Sequence, residues 1–264
     1  MEADIQLISV FGKEQHNLLG NVSAVVWLEH EITASKMQQI ASDLNQPATT
    51  FLCEHNDEIK VKWFAPDAEI GLCGHGSLAA IAFLSNRNNT TTAITLNYAG
   101  GEISGAAIDE NHCQIQINAI PTLEEKSIPA ILTKGLGVPI IGYFKTSNKD
   151  IVLLESEEDV KNMKPNFALL RQSEVFGYAV TAAAKKVDFV SRTLVPHVQQ
   201  LEDHATGSSH AALVPFWANK LNKQKLVAIQ HSPRGGYFDC EIQNDDIVTL
   251  EGEFRTIFKG KLTL

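Results

Sequence analysis

Residues 71–84 read GLCGHGSLAAIAFL. Cys73 and His75 stand two apart in a glycine turn, and a run of small and apolar residues follows at once. Thiol and imidazole ionise closer to neutral pH than most side chains do, so the turn is a candidate for acid–base chemistry. A helix opening there would present backbone N–H groups and a partial positive charge. Glycine would let a ligand approach that backbone closely. Gly74, Gly76 and Ser77 are therefore candidate donors to an anionic group, and His75 a candidate to orient or protonate it. A second reading of the same residues is structural: a serine N-cap with glycine for tight packing. Cys73 likewise reads two ways, as a thiol with a lowered pKa at a helix start or as a small buried residue.

The pattern recurs. Gly207-Ser208-Ser209-His210-Ala211-Ala212-Leu213 lies 133 residues after Gly74-His75-Gly76-Ser77-Leu78-Ala79-Ala80. Each copy follows a strand-like run ending in proline, FAP at 64–66 and LVP at 194–196, and each continues into an apolar helical pattern. The spacing predicts two similar halves, each with a central helix begun by a glycine turn. Two such helix starts facing one cleft would suit a carboxylate, with Gly207, Ser208 and Ser209 as the second set of donors. Asp203 precedes the second turn and can share acid and base work with His75. In QHSPRGG at 230–236, Arg234 can clamp a carboxylate or simply sit on the surface of a Gly-Gly hairpin. His204 and His210 match no zinc-ligand spacing, so no metal is expected.

Around these turns the chain alternates. DIQLISVF, SAVVWL, TTFLC, IKVKWF, AITLNY, CQIQINAI, DIVLLE, FGYAVTA, KVDFVSR, KLVAIQ, YFDCEI and DIVTLEG read as strands. TASKMQQIASDL, GSLAAIAFLSN and SSHAALVPFWANKL read as helices, with IPAILTKGL a weaker fourth. Many strands and few helices predict an α+β protein. The Pro-containing polar stretch near 120–126 predicts halves of 1–120 and 121–264, with the final strand free to return to the first half.

With 264 residues and 44% hydrophobic content, the chain can bury an ordinary core. A net charge of −9 argues against a nucleic-acid partner. There is no unbroken apolar stretch long enough for a membrane span. MEADIQLISVFG is acidic where a secretory leader is basic. The four cysteines show no paired spacing, so a cytoplasmic protein with free thiols is expected.

LGN at 19–21, KWFAPDAEIGLCGHGSLAA at 62–80, DFVSR at 188–192, EDHATGSSHAALVPFW at 202–217 and QHSPRGG at 230–236 together resemble the PhzF-like family, named for the phenazine-biosynthesis isomerase. The resemblance runs across nearly the whole chain. It implies the diaminopimelate-epimerase fold: two similar, pseudo-symmetric domains, each a curved, mostly antiparallel sheet around a central helix, with the active site in the cleft. It implies no cofactor, and a homodimer. Related two-base racemases of this fold place a cysteine in each turn. Here Cys73 fills the first position but Thr206 the second. A hydroxyl is too weak an acid to replace that thiol, so a two-thiol racemase is not expected.

PhzF-like enzymes use a glutamate in Asn-x-Ser-Glu-Thr-x-Phe, the histidine of the CGH turn, and the aspartate before the second turn. His75 and Asp203 match the last two. The motif falls on Asn45-Gln46-Pro47-Ala48-Thr49-Thr50-Phe51, where Ala48 stands in the glutamate's place. Glu69 matches a position the family also fills with glutamate and is no substitute. Loss of a general base typically costs about 10²–10⁴ in rate. The expectation is an isomerase-family protein acting by proton transfer on a small carboxylic acid, with His75 and Asp203 catalytic. The alternatives are an impaired or non-catalytic small-molecule-binding relative, or a one-base reaction at Cys73.

Overall fold

The structure is a computed structural model describing residues 2–244 and 246–264. In chain order it runs β1 (Glu2–Gly12), β2 (Asn21–Leu28), α1 (Ala34–Leu44), β3 (Ala48–His55), β4 (Glu58–Phe64), β5 (Glu69–Ile70), α2 (Gly74–Asn88), β6 (Ile94–Tyr98), β7 (Gly101–Ala107) and β8 (His112–Asn118). It continues with β9 (Glu124–Glu125), α3 (Ala130–Leu136), β10 (Ile140–Lys145), β11 (Asp150–Leu154), α4 (Glu157–Asn162), α5 (Phe167–Leu170) and β12 (Tyr178–Ala183). Last come β13 (Phe189–Leu194), β14 (Glu202–Asp203), α6 (Gly207–Leu221), β15 (Lys225–Gln230), β16 (Gly236–Gln243) and β17 (Ile247–Thr263). Two compact units result. One gathers the chain up to Ile117 together with Thr249–Leu264, and the other is Asn118–Val248. Most of β17 thus belongs to the first unit.

In the first unit the strands close a ring. β1 pairs with β2, β2 with β3 in parallel, β3 with β4, and β4 with β6 in parallel. β6 pairs with β7, β7 with β8, β8 with β17, and β17 with β1. Closure leaves this sheet no open edge. α2 is the crossover between parallel β4 and β6, and it packs against β1, β2, β3, β6 and β7. It is buried at every position from Gly74 to Ser85, which is why its sequence has no polar stripe. α1 covers the other face of β3 with Met37, Ile40 and Ala41, packing against Phe51, Cys53 and Phe64. Asn56 and Asp57, both at positive φ, turn the chain between β3 and β4.

The second unit repeats this order. β11 runs parallel to β12, β12 antiparallel to β13, and β13 parallel to β15 across α6. β15 then pairs with β16, while β10 joins β11 to β9. α6 is buried from Gly207 to Val214 and again at Phe216 and Trp217. Pro215 lies inside it and has no N–H to give the Ala211 carbonyl four residues back. The backbone N–H of Ile120 takes that carbonyl at 2.9 Å. α2 and α6 end alike, at Asn89 and Asn222 in the left-handed conformation. The fold is of the diaminopimelate-epimerase type, α+β with a central helix in each repeat.

His210 of α6 is fully buried. Its ring lies 3.7 Å from that of Phe238 in a stack, and its Nδ1 donates to the Thr206 carbonyl at 2.8 Å. Burial pushes its pKa down from 6.5 to about 4. The unfolded chain therefore binds this proton more readily than the folded one between these two values. Stability should be flat above pH 6.5 and fall as pH drops toward 4, by about 3 kcal/mol from this group. Urea melts across that range should show the slope, and His210→Phe should remove this part of it.

Candidate active site

The first turn is built on the inner face of the ring. Cys73 is the N-cap of α2, and its Sγ accepts from the Gly76 N–H at 3.4 Å. Ser77 is not the cap. Its hydroxyl donates back to the Cys73 carbonyl at 2.7 Å. His75, 5% exposed, has Nδ1 3.5 Å from Cys73 Sγ and 3.3 Å from Asn21 Nδ2. Asn21 Oδ1 is taken by the Val22 N–H at 3.0 Å, so the amide nitrogen faces the imidazole. With Nδ1 accepting from that amide, a neutral ring would carry its proton on Nε2. Asn21 follows Gly20, whose φ is +67° and where a Cβ would come within 2.2 Å of the Val10 carbonyl oxygen. Only glycine brings the chain round this corner.

Ala48 opens β3 with 0% exposure, opposite Ser23 of β2. Ser23 Oγ lies 3.2 Å from the Ala48 carbonyl and 2.8 Å from Thr50 Oγ1. Thr50 Oγ1 reaches the Gly76 carbonyl at 3.4 Å. Ala48 and Thr50 share a strand face by the two-residue period, so the family's glutamate position lies on the face turned toward the α2 start.

The second turn is knotted by Gln230. Its Oε1 accepts from the Thr206 N–H at 2.9 Å, and its Nε2 donates to the Asp203 carbonyl at 2.7 Å and to Thr206 Oγ1 at 3.0 Å. Thr206 Oγ1 donates to Asp203 Oδ2 at 2.8 Å. Asp203 is thereby oriented by the residue that begins the helix. Ser208 Oγ accepts from Lys149 Nζ at 2.9 Å, and Ser209 Oγ accepts from Thr193 Oγ1, also at 2.9 Å. Ser232 ties the 231–235 turn to this site by donating to the His204 carbonyl at 2.7 Å. Burial, first of all, holds His204 below its ordinary pKa; Asp203 raises it and Arg234 lowers it. Arg234 therefore acts in the same electrostatic neighbourhood as Asp203.

Of the residues singled out from sequence, Cys73, Gly74, His75, Gly76, Ser77 and Ala48 gather in the first unit. Asp203, Gly207, Ser208, Ser209 and Arg234 belong to the second. Asn21, Ser23, Thr50, Lys149 and Gln230 were missed as site residues. Asn21 and Gln230 had a signal, since they sit in the LGN and QHSPRGG segments. Thr50 also had one, lying in the motif at 45–51, while Ser23 and Lys149 had none. All four cysteines are buried and unbridged. Among the described residues no three His, Cys, Asp or Glu side chains gather as a metal site, and no helix is long and apolar enough to cross a membrane.

Residues 8–260 match the family described as phenazine biosynthesis-like protein, PhzC-PhzF. The chain belongs to this family. An uncharacterized isomerase of Halalkalibacterium halodurans is 30% identical over 267 residues, covering 100% of both chains. A PhzF-family crystal structure from Enterococcus faecalis has 31% identity and a TM-score of 0.89, again with 100% coverage of both. A probable proline racemase of Agrobacterium radiobacter, at 11% identity and a TM-score of 0.70, shares the fold alone.

Within this PhzF-like turn, a Cβ on Gly76 would lie 2.6 Å from Trp63 Cδ1, 2.8 Å from Thr50 Oγ1 and 3.0 Å from Cys73 Sγ. Gly76→Ala gains about 1 kcal/mol of helix propensity, but overpacking a rigid buried contact costs about 1–3 kcal/mol. Net destabilisation is expected, read as a lower urea midpoint at unchanged m-value.

Proposed function

We propose that this protein is a PhzF-like isomerase acting by proton transfer on a small carboxylic acid, with His75 and Asp203 handling the proton. The observation that carries this reading is that both groups are oriented by dedicated hydrogen bonds at the start of a buried helix. Asn21 faces His75 Nδ1 at 3.3 Å, and Thr206 donates to Asp203 Oδ2 at 2.8 Å. A proton carrier held in one rotamer reacts without first losing that freedom. His75 Nε2–H would orient or protonate the substrate, and Asp203 would act as acid, base or hydrogen-bond partner. Gly74 would bind a carboxylate through its N–H at the positive end of α2, where the Gly76 N–H is already taken by Cys73 Sγ. In the second unit Gly207 and Ser208 would offer N–H and hydroxyl donors at the positive end of α6, with Arg234 adding its charge. No step in this scheme calls for a cofactor or metal.

Ala48 supports a second reading, a binding relative that has kept the pocket without the chemistry. Alanine cannot carry a proton, and the position is fully buried.

NMR-detected hydrogen exchange in D₂O separates the two. The panel is small unsaturated, amino and hydroxy acids. The enzyme reading expects C–H exchange with the natural chain, slowed about 10²–10⁴-fold in His75→Asn or Asp203→Asn. Exchange only after Ala48→Glu would make the natural chain a binder. Exchange in neither would reject the isomerase assignment.

A further inference from the structure

The inner face beneath the α2 start is polar where a barrel interior is ordinarily apolar. Asn21, Ser23, Ala48 and Thr50 are each 0% exposed, and Trp63 is 1% exposed. Trp63 lies directly across from Thr50 in the β3–β4 pairing. The hydroxyl groups on this face are engaged: Ser23 with the Ala48 carbonyl and Thr50, and Thr50 with the Gly76 carbonyl. The Trp63 indole N–H differs. Nε1 is buried with no hydrogen-bond partner. Its neighbouring ring carbon, Cδ1, is the atom that a Cβ on Gly76 would meet at 2.6 Å, so the donor edge of the indole lies against the first turn of α2.

A buried donor left unpaired costs free energy, and native proteins rarely tolerate one without a reason. Here it stands beside the positive end of a 15-residue helix, against Gly76. None of Asn21, Ser23, Ala48, Thr50 and Trp63 is acidic, and Ala48 stands at the position where the resemblance places a glutamate. The Trp63 N–H is thus a buried donor without an acceptor at a helix start.

We propose that the Trp63 indole N–H is a substrate-binding donor, and that with the α2 start it holds a carboxylate of the ligand within the first unit. This rests on the reading of the chain as acting on a carboxylic acid. It adds a specific donor and assigns the acid group to the first unit's own face. The Tyr98 ring, 5.4 Å away from Trp63 and edge to face with it, closes the other side of the indole.

The test uses the full chain labelled with ¹⁵N in the indole nitrogens, which gives three resonances, from Trp27, Trp63 and Trp217. Malonate and acetate are the probes, with malonamide as the neutral control. The expected result is a saturable downfield shift of the Trp63 N–H with malonate and acetate and none with malonamide. Replacing Trp63 by 3-benzothienylalanine, which keeps the ring shape and removes the N–H, should weaken malonate binding about tenfold or more. Unchanged Trp27 and Trp217 resonances would show the fold intact, and the titration of the natural protein stands whatever the variant does. A Trp63 resonance unmoved by either acid overturns the proposal, as does an equal response to malonamide or full affinity in the isostere. If C–H exchange proceeds while Trp63 stays silent, this inference fails and the isomerase reading survives.

Discussion

The structure depends on burying the start of a helix. An α-helix begins with N–H groups that have no intrahelical partner, and in water the solvent satisfies them. α2 runs inside a closed ring of strands and is buried from its first residue, so the sheet and the turn must supply what water would. The residues follow from that demand. The Cys73 thiol accepts from the Gly76 N–H, and Gly76 has no side chain because Trp63, Thr50 and Cys73 already occupy the space; Thr50 meanwhile donates from β3 to the Gly76 carbonyl. The helix itself is built of small and apolar residues because every face meets a strand.

The same constraint met twice has been answered with different chemistry. In the first unit a soft thiol caps the helix and an imidazole lies against it. In the second, Thr206 occupies the cap position without capping through its side chain, and Gln230 takes its N–H from across the sheet. This frees the Thr206 hydroxyl to hold Asp203. The duplicated architecture thus carries a buried histidine against the cap in one unit and a carboxylate held by the cap residue in the other. Buried polar groups of this kind stabilise only when each is paired, and the networks around Asn21 and Gln230 meet that condition.

How much was legible varied with the reach of each interaction. The two glycine turns and their spacing were plain in the sequence, and the structure places a 15-residue helix at each. α4 was missed because it has only six residues, too few for a helical period to show. β7 was missed because GEISGAA is mostly small residues of low β-propensity. At the site, Gln230 is 24 residues from Thr206, Thr50 is 26 from Gly76, and Asn21 is 54 from His75. No local pattern reports contacts that the sheet register creates.

The sequence by itself determined the class of fold, the two-fold repeat, the family, and the presence of His75 and Asp203 beside helix-opening turns with Ala48 at the glutamate's position. The fold class, the repeat and the turns follow from residue type and periodicity, which are local, while the family and the role of the Ala48 position follow from the resemblance of whole segments. Tertiary structure decided which donors are spent and which are not. Ser77 and Ser209 look like free hydroxyls in the sequence, yet both are engaged within the core. Trp63 looks like an ordinary core aromatic, yet its N–H is left without a partner. Whether a polar group is available to a ligand depends on what the folded chain brings within about 3 Å of it, and that distance is set by strand register and helix burial.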